Sequence, residues 1–172
     1  MILKEMLFYK EDIYSELEKI NRVLAYRNLF LNLKIVGGAA LIFNGITSVE
    51  TQDIDTIERI SSEIKEICDE SSLDINTDAM DYIENYVDCE FIEDSCKTFS
   101  NIFITYLSLV DTIRTKLKNY QDEDKAEKLR YLLEDEFNVE MTIEGISEFI
   151  KEYGGEPNKY DIEEFLRYIE YI

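Results

Sequence analysis

LKIVGGAALIFNGITSVETQDID, residues 33–55, carries a strand, a turn, a helix and a pair of acids in one supersecondary unit. Residues 33–36 are short and apolar, as a buried central strand is. Gly37-Gly38 ends that strand. Residues 39–43 (AALIF) then form a short apolar helix, which Asn44-Gly45 stops as a C-cap. After a loop at 46–50, residues 51–57 are extended again. Side chains alternate across a strand, so Asp53 and Asp55 share one face and Ile54 takes the other, toward the core. Strand, turn, helix and strand in this order predict an α+β domain built on a small sheet.

Working outward, Ile13, Leu17, Ile20, Val23 and Leu24 repeat with helical period, which predicts a helix over 11–30 with Asp12 as its N-cap. Asn32 is expected to break it before the first strand. On the other side, Ser61-Ser62 open a helix running to about Glu70, residues 73–76 read as extended, and 78–86 as a weakly patterned helix. Residues 86–92 and 101–107 (NIFITYL) alternate as strands. From Ser108 the pattern is wholly helical. Leu109, Val110, Ile113 and Leu117 make one stripe, and Leu129, Leu132, Leu133 and Phe137 a second, on a helix starting near Asp122. A third helix spans 142–153 and is stopped by Gly154-Gly155 and Pro157; Asp161 is read as the N-cap of the last. The expected organisation is an α/β core over 1–107, including the first helix, and a C-terminal helical region over 108–172 packed on it.

Composition narrows the chemistry. The 172 residues contain no histidine, which removes Ser-His and Cys-His catalysis and histidine metal sites. Any metal is then a hard, oxygen-loving ion such as Mg²⁺. Cys68, Cys89 and Cys96 lack paired metal spacing and read as reduced thiols of a cytoplasmic protein. The opening MILKEMLFYKEDIY has an acid at residue 5 and no small-residue cleavage site, so it does not read as a secretory signal. No stretch approaches the roughly 18 apolar residues of a membrane span.

The net charge of −20 is uneven: about +1 over residues 1–36, −11 over 37–118 and −10 over 119–172. Such a surface repels a phosphate backbone, which disfavours direct binding of nucleic acid. It serves solubility, or it offers a face to a basic protein partner.

A strand, Gly-Gly and a helix start present backbone N–H groups to an anion, and glycine lets a phosphate approach closely. Two carboxylates on one strand face can hold a Mg²⁺ that bridges triphosphate oxygens. Together they read as a nucleoside-triphosphate half-site, the nucleophile coming from a second substrate. GGAAL followed by TQDID resembles the DNA polymerase β-type nucleotidyltransferase superfamily, and within it the minimal bacterial toxin–antitoxin and abortive-infection nucleotidyltransferases. Gly37, Gly38, Asp53 and Asp55 match that pattern in type and spacing. The run SLVDTIRTKLKNYQDEDKAEKLRYLL is similar to the family's post-sheet helices, so the resemblance covers residues 33–135.

The resemblance implies a mixed sheet of the nucleotidyltransferase type and transfer of a nucleoside monophosphate from a Mg²⁺-bound nucleoside triphosphate. It implies Asp53 and Asp55 as catalytic metal ligands, Gly37, Gly38, Thr51 and Lys116 on the phosphates, and a third acid, for which Glu90 in the 86–92 run is chosen. Val49 stands where such proteins commonly carry arginine, NIFITYL carries no acid, and Gln121, Asp122 and Glu123 stand in the acid-rich helix where a basic pattern is usual.

Each feature has a plainer counterpart: a tight turn for the glycines, a solvated strand edge for the acids, a structural role for Thr51, an ion pair for Lys116. Three functions therefore stand side by side. One is a Mg²⁺-dependent nucleotidyltransferase. The second is a catalytically degenerate nucleotidyltransferase fold acting as an acidic protein-binding module, antitoxin-like or regulatory. The third is an acidic mimic of nucleic acid.

Overall fold

The computed structural model describes residues 9–120 and 122–171. The opening residues 1–8 and Gln121 lie outside the described residues. Close contacts divide the chain after Ser108 into two compact units.

The first unit is α+β. Helix α1 (Lys10–Tyr26) buries Ile13, Leu17, Ile20 and Leu24 of the predicted stripe but leaves Val23 exposed, and it starts before Asp12, which sits in its first turn rather than at its cap. Its end also differs from expectation. Asn28, not Asn32, terminates it by taking a positive φ of 55°. The Asn28 N–H then donates to Ala25 O at 3.2 Å and the Leu29 N–H to Leu24 O at 2.9 Å. These bonds form a left-handed cap that satisfies the last carbonyls. Asn32 is free of that task and lies inside β1 (Leu31–Val36).

Helix α2 (Gly37–Phe43) follows at once and ends as the sequence predicts. Gly45 has φ +90°, and the Ile46 N–H donates to Leu41 O at 3.1 Å. Strand β2 (Asp53–Thr56) buries Ile54 and leaves Asp53 and Asp55 half-buried. Ser61 caps α3 (Ser62–Asp69) by accepting the Ile64 N–H. Strand β3 (Asp74–Asn76) and a 3₁₀ segment (Asp78–Tyr86) follow, the segment kinked at Tyr82. Of the strand expected over 86–92, only Phe91 and Ile92 are in β4 (Phe91–Glu93), because Tyr86 still belongs to the 3₁₀ segment. Strand β5 (Ile102–Leu107) matches its prediction.

The five strands form one mixed sheet in the order β3-β2-β1-β5-β4. β1 runs antiparallel to β2 and parallel to β5, β2 is parallel to β3, and β4 is antiparallel to β5. One face carries Leu31, Leu33, Ile35, Ile54, Ile75, Ile102 and Ile104, which join buried residues of α1, α2 and α3 in a single core. The other parity carries Asn32, Lys34, Asp53, Asp55, Asp74, Asn76, Phe103 and Thr105, all half-buried or exposed.

The second unit is helical: α4 (Leu109–Lys118), α5 (Glu123–Tyr131) extended by a π-helical turn (Leu132–Glu136), α6 (Ile143–Glu152) and α7 (Lys159–Tyr171). Asp122 caps α5, its carboxylate accepting the Lys125 N–H at 2.8 Å. Asn158, not Asp161, opens α7: its side-chain oxygen accepts the Asp161 N–H at 3.1 Å, so Asp161 is already in the first turn. Val110, Ile113, Leu117, Leu129, Leu133, Ile146, Ile150 and Phe165 are buried. Among the described residues no helix is long and apolar enough to cross a membrane.

Candidate functional site

The antiparallel register of β1 and β2 places Asp55 directly opposite Val36, the residue before the glycine pair. Gly37 turns the chain with φ +70°, a conformation that side chains rarely adopt. A Cβ built on Gly37 would stand 3.0 Å from Asp55 Oδ2. Glycine is therefore needed twice here, for the turn and for the carboxylate lying against it. Gly38 faces Thr51 more loosely, its Cβ position lying 3.7 Å from Thr51 Oγ1. The Thr51 hydroxyl lies 2.9 Å from Asp53 O and 3.3 Å from Asp53 Oδ1, while the Asp53 N–H donates back to it at 3.4 Å. Thr51 thus fixes the entry to β2 and the orientation of Asp53.

Gly37, Gly38, Thr51, Asp53 and Asp55 are brought together at one end of β1 and β2. One predicted residue, Glu90, is placed elsewhere along the sheet. Glu90 is exposed and precedes β4, and its carbonyl accepts the Ser108 N–H at 2.9 Å. Strands β1 and β5 lie between β4 and β2, so the sheet does not bring Glu90 to the acid pair. Lys116 is half-buried on α4, in the second unit. Val49, where an arginine was looked for, packs against the hydrophobic core.

The sequence reading missed Asp74. In the parallel register of β2 and β3 it is the partner of Asp53, as Asn76 is of Asp55. Register partners project to the same face, so the half-buried Asp74 stands beside Asp53. The run at 73–76 reads as extended, but nothing in it says which strand lies beside it.

Tyr86 completes this neighbourhood. Burial, then the nearby charge of Asp55, pushes its phenol above the ordinary tyrosine range, so it keeps its proton at neutral pH.

The donor set suits a hard cation. Mg²⁺ is characteristically held by one or two carboxylates, with phosphates and waters completing its shell. Asp53 and Asp55 offer such a pair, and the missing Cβ of Gly37 leaves room beside Asp55. Among the described residues no three Asp, Glu or Cys side chains converge tightly enough to hold a metal by themselves. A cation here would depend on the substrate for the rest of its ligands.

No curated protein and no solved structure gives a significant match to this chain. Its match to a family model runs over residues 12–172, nearly its full length, and spans both units. With the glycine turn set against the DxD strand on a mixed sheet, this places the chain: it belongs to DUF6036, a family described as nucleotidyltransferases of unknown function.

Proposed function

We propose that this protein transfers a nucleoside monophosphate from a Mg²⁺-bound nucleoside triphosphate to a hydroxyl acceptor. The contact of Asp55 with the Gly37 turn carries this reading. It supports the reading because a carboxylate able to bind a metal lies against the turn that opens α2, where unpaired backbone N–H groups can receive phosphate oxygens. Asp53 and Asp55 hold the cation. The Gly37-Gly38 turn receives phosphate oxygens, and Thr51 keeps Asp53 aimed at the same point. When bound, Mg²⁺ neutralises phosphate charge and favours departure of pyrophosphate. The acceptor oxygen bonds to the α-phosphorus as the bond to the bridging oxygen of the β-phosphate breaks, and the acceptor proton leaves to solvent.

Isothermal titration with each of the four Mg²⁺-NTPs tests this. We expect heat from at least one nucleotide and its loss in Asp53→Asn. No heat from any of the four with the natural protein would refute it.

A second reading rests on the two-acid site itself. Among the described residues no third acid joins the pair to hold a metal, and such a site is suited to bind rather than to turn over, with the chain's charge of −20 presented to a basic partner. In that case Asp53→Asn/Asp55→Asn leaves biological activity intact.

A further inference from the structure

Beyond the acid pair, on the side away from the glycine turn, the polar face of the sheet is hollow. The register that sets Asp55 opposite Val36 and Thr56 opposite Ile35 continues to Ile57, whose N–H donates to Lys34 O at 3.0 Å. There the 3₁₀ segment and the chain after β2 border an open cavity of about 420 Å³. Lys34, Arg59, Glu58, Met80, Ile83 and Tyr86 are among its walls.

Its charge is unusual for this molecule. In a chain of 18 basic and 38 acidic residues, most cations are expected to be paired. Nine lysines and arginines do form salt bridges among the described residues. Lys34 and Arg59 form none among the described residues; the Lys34 ammonium instead stands 4.4 Å over the Phe91 ring. One acid, Glu58, shares the walls with these two cations. The volume is that of a small-molecule pocket, too small for a folded partner.

We infer that this cavity is the acceptor site, and that the acceptor is a small hydroxyl compound bearing a phosphate monoester. The inference rests on the nucleotidyltransferase reading above. In-line displacement puts the incoming oxygen and the departing pyrophosphate on opposite sides of the α-phosphorus. With the departing phosphates on the glycine turn, the acceptor comes from the far side of Asp55, where the cavity lies. Arg59 binds its phosphate, joined by the Lys34 ammonium swung from the Phe91 ring, a charge-assisted contact that orients the hydroxyl toward the acid pair. Tyr86, lining the cavity and close to Asp55, separates the acceptor body from the metal ligands.

Ribose 5-phosphate is a suitable probe, followed by ¹H–¹⁵N NMR on the full chain without nucleotide. We expect shift changes centred on Lys34, Ile57–Arg59 and Tyr86. Arg59→Gln, an exposed and structurally mild change, should weaken binding about tenfold, and Lys34→Gln similarly. Binding should persist in Asp53→Asn/Asp55→Asn, which separates this site from the nucleotide site. If Mg²⁺-NTP fails to bind while ribose 5-phosphate perturbs the cavity, the donor reading falls and the anion pocket stands. Absence of shifts at the cavity, binding indifferent to both substitutions, or mutual displacement by Mg²⁺-NTP would overturn the inference. The last of these would assign the cavity to the nucleotide.

Discussion

On one face of the sheet Leu33, Ile35, Ile54, Ile75 and Ile104 are at most 4 % exposed and locked under three helices. On the other, Asp53, Asp55 and Asp74 stand half-buried on neighbouring strands, followed in the chain by the 3₁₀ segment Asp78–Tyr86. A fourth carboxylate shows what a structural acid looks like here. Asp94 is buried, accepts the Tyr14 hydroxyl at 2.6 Å on one oxygen and faces the Cys96 N–H at 3.4 Å on the other. A buried charge persists when it is satisfied in this way. The acids of β2 and β3 are arranged differently: half-buried on neighbouring strands, with Asp55 set against the Gly37 turn. Like charges directly opposed on adjacent strands are destabilising, so the pairing of Asp53 with Asp74 is expected to work against the fold. One face stabilises the fold; the other carries the proposed site.

If that division is right, substitutions on the two faces separate stability from activity. Asp55→Asn should reduce nucleotidyl transfer by more than about a hundredfold, the loss of several kcal/mol of metal-assisted stabilisation, with the melting temperature unchanged or raised. A steady-state assay beside a thermal melt checks both halves. Ile54→Ala, one residue away on the opposite face, should cost about 2–5 kcal/mol in denaturant unfolding and affect activity only through loss of folded protein. Tyr14→Phe removes a partner from buried Asp94 and should cost about 1–3 kcal/mol by the same measurement, without touching nucleotide affinity.

Gly37→Ala should cost about 1–2 kcal/mol for the left-handed turn alone, and its methyl group would displace Asp55. It should therefore lower stability and nucleotide affinity together. The smallest effect is expected from Asp74→Asn, a gain of about 0.2–1 kcal/mol without metal that shrinks when Mg²⁺ is added.

Alkaline pH probes both faces at once. The phenols of Tyr14 and Tyr86 are raised above the ordinary 10.0, by burial first and then by Asp94 and Asp55 respectively. Above about pH 10 the unfolded chain gives up these protons while the native state retains them, so the unfolded state binds fewer protons. Stability should hold up to that pH and fall as it rises further, and less steeply in Tyr86→Phe.

What was legible in the sequence was local. The glycine turn, the short helix it opens and the shared face of Asp53 and Asp55 lie within 19 consecutive residues and follow from turn chemistry and alternation. Asp74 was not legible, because its importance comes from which strand lies beside β2, and strand order is a long-range property. Glu90 was chosen on alternation over 86–92. Alternation does not show that a 3₁₀ segment holds Tyr86, nor that β4 lies at the far edge of the sheet. Asn28 and Asn32 are equally good helix breakers by type, and only the backbone bonds at Asn28 decide between them. The Lys34–Arg59 cavity needs the 3₁₀ segment folded over the sheet before it exists.

The central claim is that the polar face gathers a divalent cation and a triphosphate between Asp53, Asp55 and the Gly37 turn. Mn²⁺ in place of Mg²⁺ tests it at the atoms concerned, through paramagnetic broadening of amide signals in the presence of an NTP. The account predicts selective loss of the Gly37, Gly38 and Asp53–Asp55 signals at low Mn²⁺, abolished in Asp53→Asn/Asp55→Asn. Broadening spread over the acidic helices of the second unit, with these signals intact, would contradict it.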